Sequence, residues 1–315
     1  MPWIMAVKYI LTFIWLVGFF SKANGVSAAI QIKYYSTAST TSLDNHNWIS
    51  RIPNSRAISD MSIPGTHNTV SFFGGPYAQC QTLPLLEQYK AGIRFVDIRC
   101  RHIANELPIY HGIMYQNIDL YGVINDTVQF LNQNPEELIL MRIREESAPR
   151  DSTQSMTTSI RNCINSYPQH RFWHSVTWPT LGQARGKIII LQQFDTHHYI
   201  WVPYRSMNIE DHWNVRALSR RHLLAKWRHV KTHLKRISGG TDDNRVHLAY
   251  TSGSSFMAFP YAVAMRQNRN LWKFFRQEES RHCARYGIIG MDFPGDVLIN
   301  QIIEKNFRNG RNCPV

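Results

Sequence analysis

The chain alternates short apolar runs with helix-like stretches along most of its length, and this alternation is the strongest constraint on its fold. A strand is expected from Ala57 to Ile63, ending at Pro64-Gly65. Others are expected from Ile93 to Ile98, Leu107 to His111, Leu138 to Ile143, Lys187 to Leu191, Val246 to Thr251 and Tyr286 to Asp292. Helices are expected from Leu83 to Ala91 with Gly92 beyond the end, Ile118 to Asn132, Arg216 to Ile237 and Val297 to Asn306. Strands separated by helices pair in parallel, and the nearly all-apolar run from Lys187 suits a strand covered on both faces. The expected architecture is a single-domain α/β fold, a distorted (β/α) TIM-type barrel.

In such a barrel the C-terminal ends of the strands line the active site. Most of the expected strands end in a polar residue: His67, Arg99, His111, Arg144 and Asp292. A doubly wound sheet would not gather these so economically, and the glycine-rich dinucleotide fingerprint is absent. In Phe95-Val96-Asp97-Ile98-Arg99-Cys100-Arg101, a period of two places Asp97, Arg99 and Arg101 on one face. Burying charges there is costly, so the row is either a salt-bridge layer or a site for an anion. A histidine at a strand end is, alone, more often structural than catalytic.

The N-terminus suggests the compartment. Lys8 precedes an apolar run from Tyr9 to Phe20, and small residues follow at Val26-Ser27-Ala28. Such a pattern reads as a secretory signal peptide over residues 1–28, cleaved near Ala28 or, failing that, after Ala23 or Gly25. The run is short for a membrane span, although a retained anchor is the other reading. Residues 29–46, rich in Ser and Thr, are expected to be a flexible leader to a domain over 47–315. A secreted chain can form disulfides, but five cysteines leave at least one unpaired within a monomer. Asn125-Asp126-Thr127 is a glycosylation sequon. The formal charge of +13 favours anionic partners, and no zinc-finger or RNP-type motif points to nucleic acid.

Ser62-Ile63-Pro64-Gly65-Thr66-His67, then Val96-Asp97-Ile98-Arg99, then Tyr110-His111-Gly112 resembles the catalytic X-region of phosphatidylinositol-specific phospholipase C, in its secreted, bacterial-type branch. The likeness continues through Asn134-Pro135-Glu136-Glu137, Ala184-Arg185-Gly186-Lys187, Glu210-Asp211 and Tyr250-Thr251-Ser252, and closes at Gly290-Met291-Asp292. The resemblance implies that His67 is a general base oriented by Asp292, that His111 is the acid and that Arg99 holds the phosphate. It implies inositol contacts from Arg144, Asp211, Glu146 and Arg185, with Trp213 stacking on the sugar. It implies cleavage of phosphatidylinositol or glycosylated inositol-lipid anchors to diacylglycerol and inositol 1,2-cyclic phosphate, by a monomer in peripheral contact with a membrane.

The residue types suit that chemistry. Displacement by a neighbouring hydroxyl needs a base, an acid for the leaving oxygen and a cation for the phosphoryl charge. Histidine serves both proton roles, and arginine stays charged while gripping two oxygens. No metal and no cofactor are expected. Calcium-dependent relatives also carry Asn at position 68, but among acidic ligands; here Arg99 and Arg144 stand in those places, and cations repel a cation.

Two positions depart from the bacterial pattern. Asn68 stands where an aspartate is usual, and a carboxylate there would favour a protonated His111. Gln192-Gln193-Phe194 stands where relatives tend to have a basic residue near the inositol pocket. A membrane-docking rim is expected from Phe72, Phe73, Phe256 and Phe259, aided by the basic helix that includes Arg220, Lys226 and Lys235, unless those aromatics pack inward and that run is simply solvated. Two other readings are a secreted lipid- or glycan-binding pseudoenzyme on the same fold, and a barrel phosphodiesterase acting on glycerophosphodiesters or sphingolipids.

Overall fold

The computed structural model describes residues 29–239, 244–278, 283–308 and 311–312. The expected signal segment, residues 1–28, and Cys313 lie outside the described residues.

Eight strands form one parallel sheet: β3 (Ser62–Thr66), β4 (Phe95–Cys100), β7 (Ile139–Glu145), β8 (Ile188–Gln193), β9 (Val202–Pro203), β10 (Asn208–Glu210), β11 (His247–Tyr250) and β12 (Gly287–Met291). Their order is β10-β11-β12-β3-β4-β7-β8-β9, with every neighbouring pair parallel. The sheet curls. In the ladder, β7 and β11 stand four steps apart, about 19 Å in a flat sheet at roughly 4.8 Å per step. Yet Arg142 of β7 donates to the Tyr250 hydroxyl of β11 at 2.8 Å. Tyr204, just after β9, reaches the same hydroxyl at 3.3 Å. Among the described residues no ladder joins β9 to β10, so the barrel is open along that seam.

Two glycines allow the tight interior. A Cβ on Gly65 would lie 2.7 Å from the Phe95 ring, and one on Gly290 would lie 2.5 Å from the Tyr250 ring. β3 therefore runs through Pro64-Gly65 to Thr66, and not from Ala57 to a turn at Pro64 as the sequence suggested. Ile58–Asp60 is instead a turn of 3-10 helix.

Eight helices flank the sheet among the described residues: α1 (Gly75–Ala78), α2 (Leu85–Ala91), α3 (Leu120–Gln133), α4 (Met156–Asn165), α5 (Leu181–Ala184), α6 (Arg220–Ser238), α7 (Pro260–Gln277) and α8 (Asp296–Glu304). α2 stops at Gly92, which takes a left-handed φ of 113°. α3 starts at Asp119, whose carboxylate accepts from Gly122 N–H at 2.9 Å, and it carries the Asn125 sequon with Thr127 buried. α6 and α7 enclose an apolar cluster of Val230, Leu234, Leu271, Phe274 and Phe275 against Ile289 and Met291 of β12. No helix of the described residues is long and apolar enough to cross a membrane.

Two expectations change. The run Leu107 to His111 is not a barrel strand: β5 (Pro108–His111) is antiparallel to β4 and forms a hairpin with β6 (Met114–Asp119). Residues 29–46 are not a loose leader. β1 (Gln31–Ile32) and β2 (Tyr35–Ser36) form a small hairpin, and Tyr35 is buried. Thr41 and Ser42 donate to Asp296 in the first turn of α8, at 3.1 and 2.7 Å. Asn45 donates to Ala91 O and to Asn300 Oδ1. The hydroxyls that made the segment look soluble are spent on packing it to the domain.

Cys80, Cys100 and Cys163 are buried free thiols, and Cys283 is in a disulfide.

Candidate active site

The C-terminal ends of β3, β4, β7 and β12 bring His67, Arg99, Arg144 and Asp292 to one mouth, and the β5–β6 hairpin adds His111. His67 lies one residue past β3. Its Nδ1 is 2.8 Å from Asp292 Oδ1, and its Nε2 is 2.8 Å from Arg99 Nη2. A guanidinium only donates, so Nε2 accepts. The proton of a neutral His67 therefore sits on Nδ1, held by Asp292, and the lone pair on Nε2 faces the mouth. Gln81 fixes the backbone beneath by donating to both His67 O and Met291 O at 2.9 Å.

Behind Arg99 lies a chain of buried charge. Asp97 Oδ2 is 3.3 Å from Arg99 Nη2, and Asp97 Oδ1 is 3.1 Å from Arg142 Nη1. Burial alone would raise the pKa of Asp97, but Arg142 and Arg99 outweigh it and hold the carboxyl well below the usual carboxylate range. Arg142 also receives a fixed orientation from Gln193, whose Oε1 accepts from Arg142 Nε at 2.8 Å. This is the role here of a residue that departs from the bacterial pattern. On the other side, Glu146 Oε2 lies 3.6 Å from Arg99 Nη1, and Glu146 Oε1 accepts from Gly112 N–H at 2.7 Å. Glu146 thus ties the arginine to the hairpin, a positioning role beside the inositol contact expected of it.

His111 Nδ1 donates to the carbonyl of Ala78 at 2.6 Å, with Ser71 Oγ 3.3 Å away. Burial first, then the charges of Arg99 and His67, lower its pKa against the opposing pull of the Ala78 carbonyl and Glu146. Asn68 does not hold it. Its backbone is left-handed, at φ 44°, and its Nδ2 donates to Cys80 Sγ at 3.7 Å, while that sulfur lies 3.9 Å from His111 Nδ1. The expected Asn68–His111 pairing is therefore indirect, through a thiol.

Arg144 points from the last turn of β7 with no side-chain hydrogen bond or ion pair among the described residues, an uncommitted cation at the mouth. Asp211 and Trp213 follow β10 and are exposed there, Trp213 by 59%. Arg185 is elsewhere. It precedes β8, at the opposite end of the barrel, where it donates to Asn54 Oδ1 and to the carbonyls of Ile52 and Glu136. Its expected inositol contact is withdrawn, because a residue ahead of a strand lies at the floor and not at the mouth.

Sequence reasoning missed four participants: the Ala78 carbonyl, Ser71, Cys80 and the Tyr250 ring, which meets His67 edge-on at 5.6 Å. None carries a local pattern. It also misplaced Lys226, expected on a solvated basic face but only 2% exposed. Its Nζ lies 3.8 Å from Glu210 Oε1, and burial lowers its pKa to about 8 despite the pull of Glu210, Asp211 and Asp292.

His67, Cys80 and Asp292 place three potential metal-ligating atoms within 4.8 Å of one another. They do not suit a cation. Both nitrogens of His67 are committed, Arg99 adds positive charge, and burial keeps the Cys80 thiol protonated by raising its pKa.

Two imidazoles and a guanidinium gathered at the mouth of a (β/α) barrel fit an acid–base phosphodiesterase. Residues 54–194 match the family model described as phosphatidylinositol-specific phospholipase C, X domain. The 1-phosphatidylinositol phosphodiesterase of Listeria monocytogenes is 31% identical over 291 residues, covering 84% of this chain and 86% of that protein. The chain belongs to the phosphatidylinositol-specific phospholipase C family, in its bacterial-type branch. A relative of the same description from Staphylococcus aureus is 25% identical and covers 87% of this chain and 98% of its own length. The solved structure of the Listeria phospholipase superposes with a TM-score of 0.73 at 30% identity, covering 84% of this chain and all of that one, 100%. A Staphylococcus aureus structure agrees in fold, with a TM-score of 0.70 at 20% identity, over 84% of this chain and 98% of that one.

Proposed function

We propose that this chain cleaves phosphatidylinositol-type lipids into diacylglycerol and inositol 1,2-cyclic phosphate, without a metal ion. The observation that carries the reading is the His67–Arg99 contact between Asp292 and His111. Phosphate oxygens draw the Arg99 guanidinium onto themselves and free His67 Nε2. That nitrogen takes the proton of the inositol 2-hydroxyl, whose oxygen attacks phosphorus. The bond to the diacylglycerol oxygen breaks, and protonated His111 supplies that oxygen with its proton. Asp292 stabilises the imidazolium formed at His67, and Asp97, fixed by Arg142, keeps Arg99 aimed. Arg144, Asp211 and Trp213 are available to the inositol ring. The complete acid–base set argues against a binding-only pseudoenzyme.

An apolar rim supports work at a membrane surface. Ile113 at the hairpin turn is 82% exposed and Phe256 74%, and Phe73, Tyr77 and Met257 are exposed with them. Phe73 N–H donates to Gln116 of the hairpin, and Tyr77 stacks on Phe256 at 5.8 Å, so the patches join into one border. Phe72 and Phe259 are half-buried and act mainly as packing for it. An exposed apolar border beside a polar mouth suits a lipid interface. A secreted form is what we propose, on the strength of the apolar run after Lys8. N-terminal sequencing of the protein recovered from culture medium checks that part.

Phosphorus NMR of the products from phosphatidylinositol vesicles in EDTA tests the activity. A cyclic phosphate resonance is expected. Activity that vanishes in EDTA and returns with calcium, or release of phosphatidic acid, would overturn the reading.

A further inference from the structure

A second cluster of ligating groups lies on the mouth beside the proposed inositol site, and the catalytic scheme does not use it. Glu210, at the end of β10, His212 two residues on, and His229 of α6 place their ligating atoms within 4.8 Å of one another. The two imidazoles stack at 3.9 Å between centroids and 10° between planes, and both are exposed. No side-chain hydrogen bond engages either ring among the described residues. Glu210 is half-buried and pre-oriented: Oε1 accepts from His212 N–H at 3.0 Å and lies 3.8 Å from Lys226 Nζ, which leaves Oε2 for a ligand.

We propose that Glu210, His212 and His229 form a binding site for a borderline divalent transition ion such as Zn2+, and that its occupancy lowers turnover. Two imidazole nitrogens and one carboxylate oxygen suit zinc and leave a position for water, whereas calcium and magnesium want oxygen ligands. Zinc joins its ligands at about 2 Å, so the stacked rings must splay slightly to converge, and exposed side chains have the room to do so. Lys226, held against Glu210 Oε1, supplies the second contact that orients a ligating carboxylate. The ion would tie the segment carrying Asp211 and Trp213 to α6. That fastens two residues proposed to meet the sugar in their ligand-free positions.

The test is Zn2+ titrated into the full chain by calorimetry, alone and without substrate, so its result does not depend on the proposed reaction. Micromolar binding is expected, weakened on the order of ten-fold or more in His229→Ala and in His212→Ala. Cys80→Ala, which disrupts the His67–Cys80–Asp292 cluster, should retain it. Separately, Zn2+ should inhibit hydrolysis of a water-soluble inositol phosphodiester by the unaltered chain. His229→Ala should keep its metal-free rate and resist that inhibition. Absence of micromolar binding, full affinity in His229→Ala, or loss only in Cys80→Ala would overturn the proposal.

Discussion

His111 takes its orientation from the carbonyl of Ala78, 2.6 Å from Nδ1, and not from the side chain of Asn68. A backbone carbonyl fixes the tautomer and leaves Nε2 for the leaving oxygen, but it brings no formal charge. Burial then lowers the pKa of His111 below the ordinary histidine value. The essential acid must be protonated, so kcat/KM on a soluble substrate should fall with rising pH at a point below about 6.5. Bound phosphate raises the pKa, so the corresponding limb of kcat should lie higher. Asn68→Asp should move the alkaline limb of kcat/KM upward, and only modestly, since Cys80 intervenes. An alkaline limb of kcat/KM above the ordinary histidine value would contradict the acid assignment.

His67→Ala and His111→Ala should each lower kcat by at least roughly 10²-fold, the usual worth of a general acid or base. Asp292→Asn should also slow turnover, because an amide can present its own N–H to Nδ1 and so favour the wrong tautomer. Steady-state rates on a soluble substrate, with circular dichroism to confirm folding, decide this. Near-native rates in folded His67→Ala would reject it.

The Asp97–Arg142 pair is enclosed within the barrel, with side-chain exposures of 0% and 1%. Asp97→Ala takes the carboxylate partner from the buried Arg142 guanidinium and should cost about 3–5 kcal/mol of stability. Denaturant unfolding reads that directly. A loss under about 1 kcal/mol would mean that water or the backbone replaces the carboxylate.

Lys226 is buried with a pKa lowered to about 8 from 10.5. The unfolded chain therefore holds more protons than the folded one between those values, and stability contributed through this group rises with pH across that window. Lys226→Met should stabilise the fold near pH 7, by at most about 3 kcal/mol, with the advantage shrinking as pH approaches 10. Thermal midpoints at both pH values check the sign.

Replacing Ile113 and Phe256 with Ser should weaken binding to phosphatidylinositol vesicles while leaving soluble-substrate hydrolysis nearly unchanged. Equal losses in both assays would show that these residues pack the site and do not dock it.

Much of this arrangement was legible in the sequence because strand ends have a signature. His67, Arg99, Arg144 and Asp292 each close an apolar run, and the parallel sheet gathers such positions by construction. Arg185 misled because the start of a strand looks as polar as its end, and only the direction of the chain separates floor from mouth. His111 was found by motif, but its strand was misread, since nothing local distinguishes an antiparallel hairpin arm from a barrel strand of the same length. Helices α4 and α7 were missed altogether. The anchor of His111 was invisible for another reason: a carbonyl belongs to every residue. Lys226 shows the limit of reading charge as exposure, because a helix with many cations still has to turn one face inward.

The hydrogen bond from Arg99 to His67 has an implication for the resting protein. The His67 lone pair proposed to start the reaction is already occupied by Arg99, so in the ligand-free site this base is masked. A neutral alcohol entering the mouth offers the guanidinium only an uncharged acceptor, a weaker draw than an anion, and the base stays masked. An anionic phosphate offers Arg99 a better acceptor and, in accepting it, arms the histidine beside it. Recognition of charge and release of the base are then a single event, and substrate choice is built into the resting hydrogen bond itself.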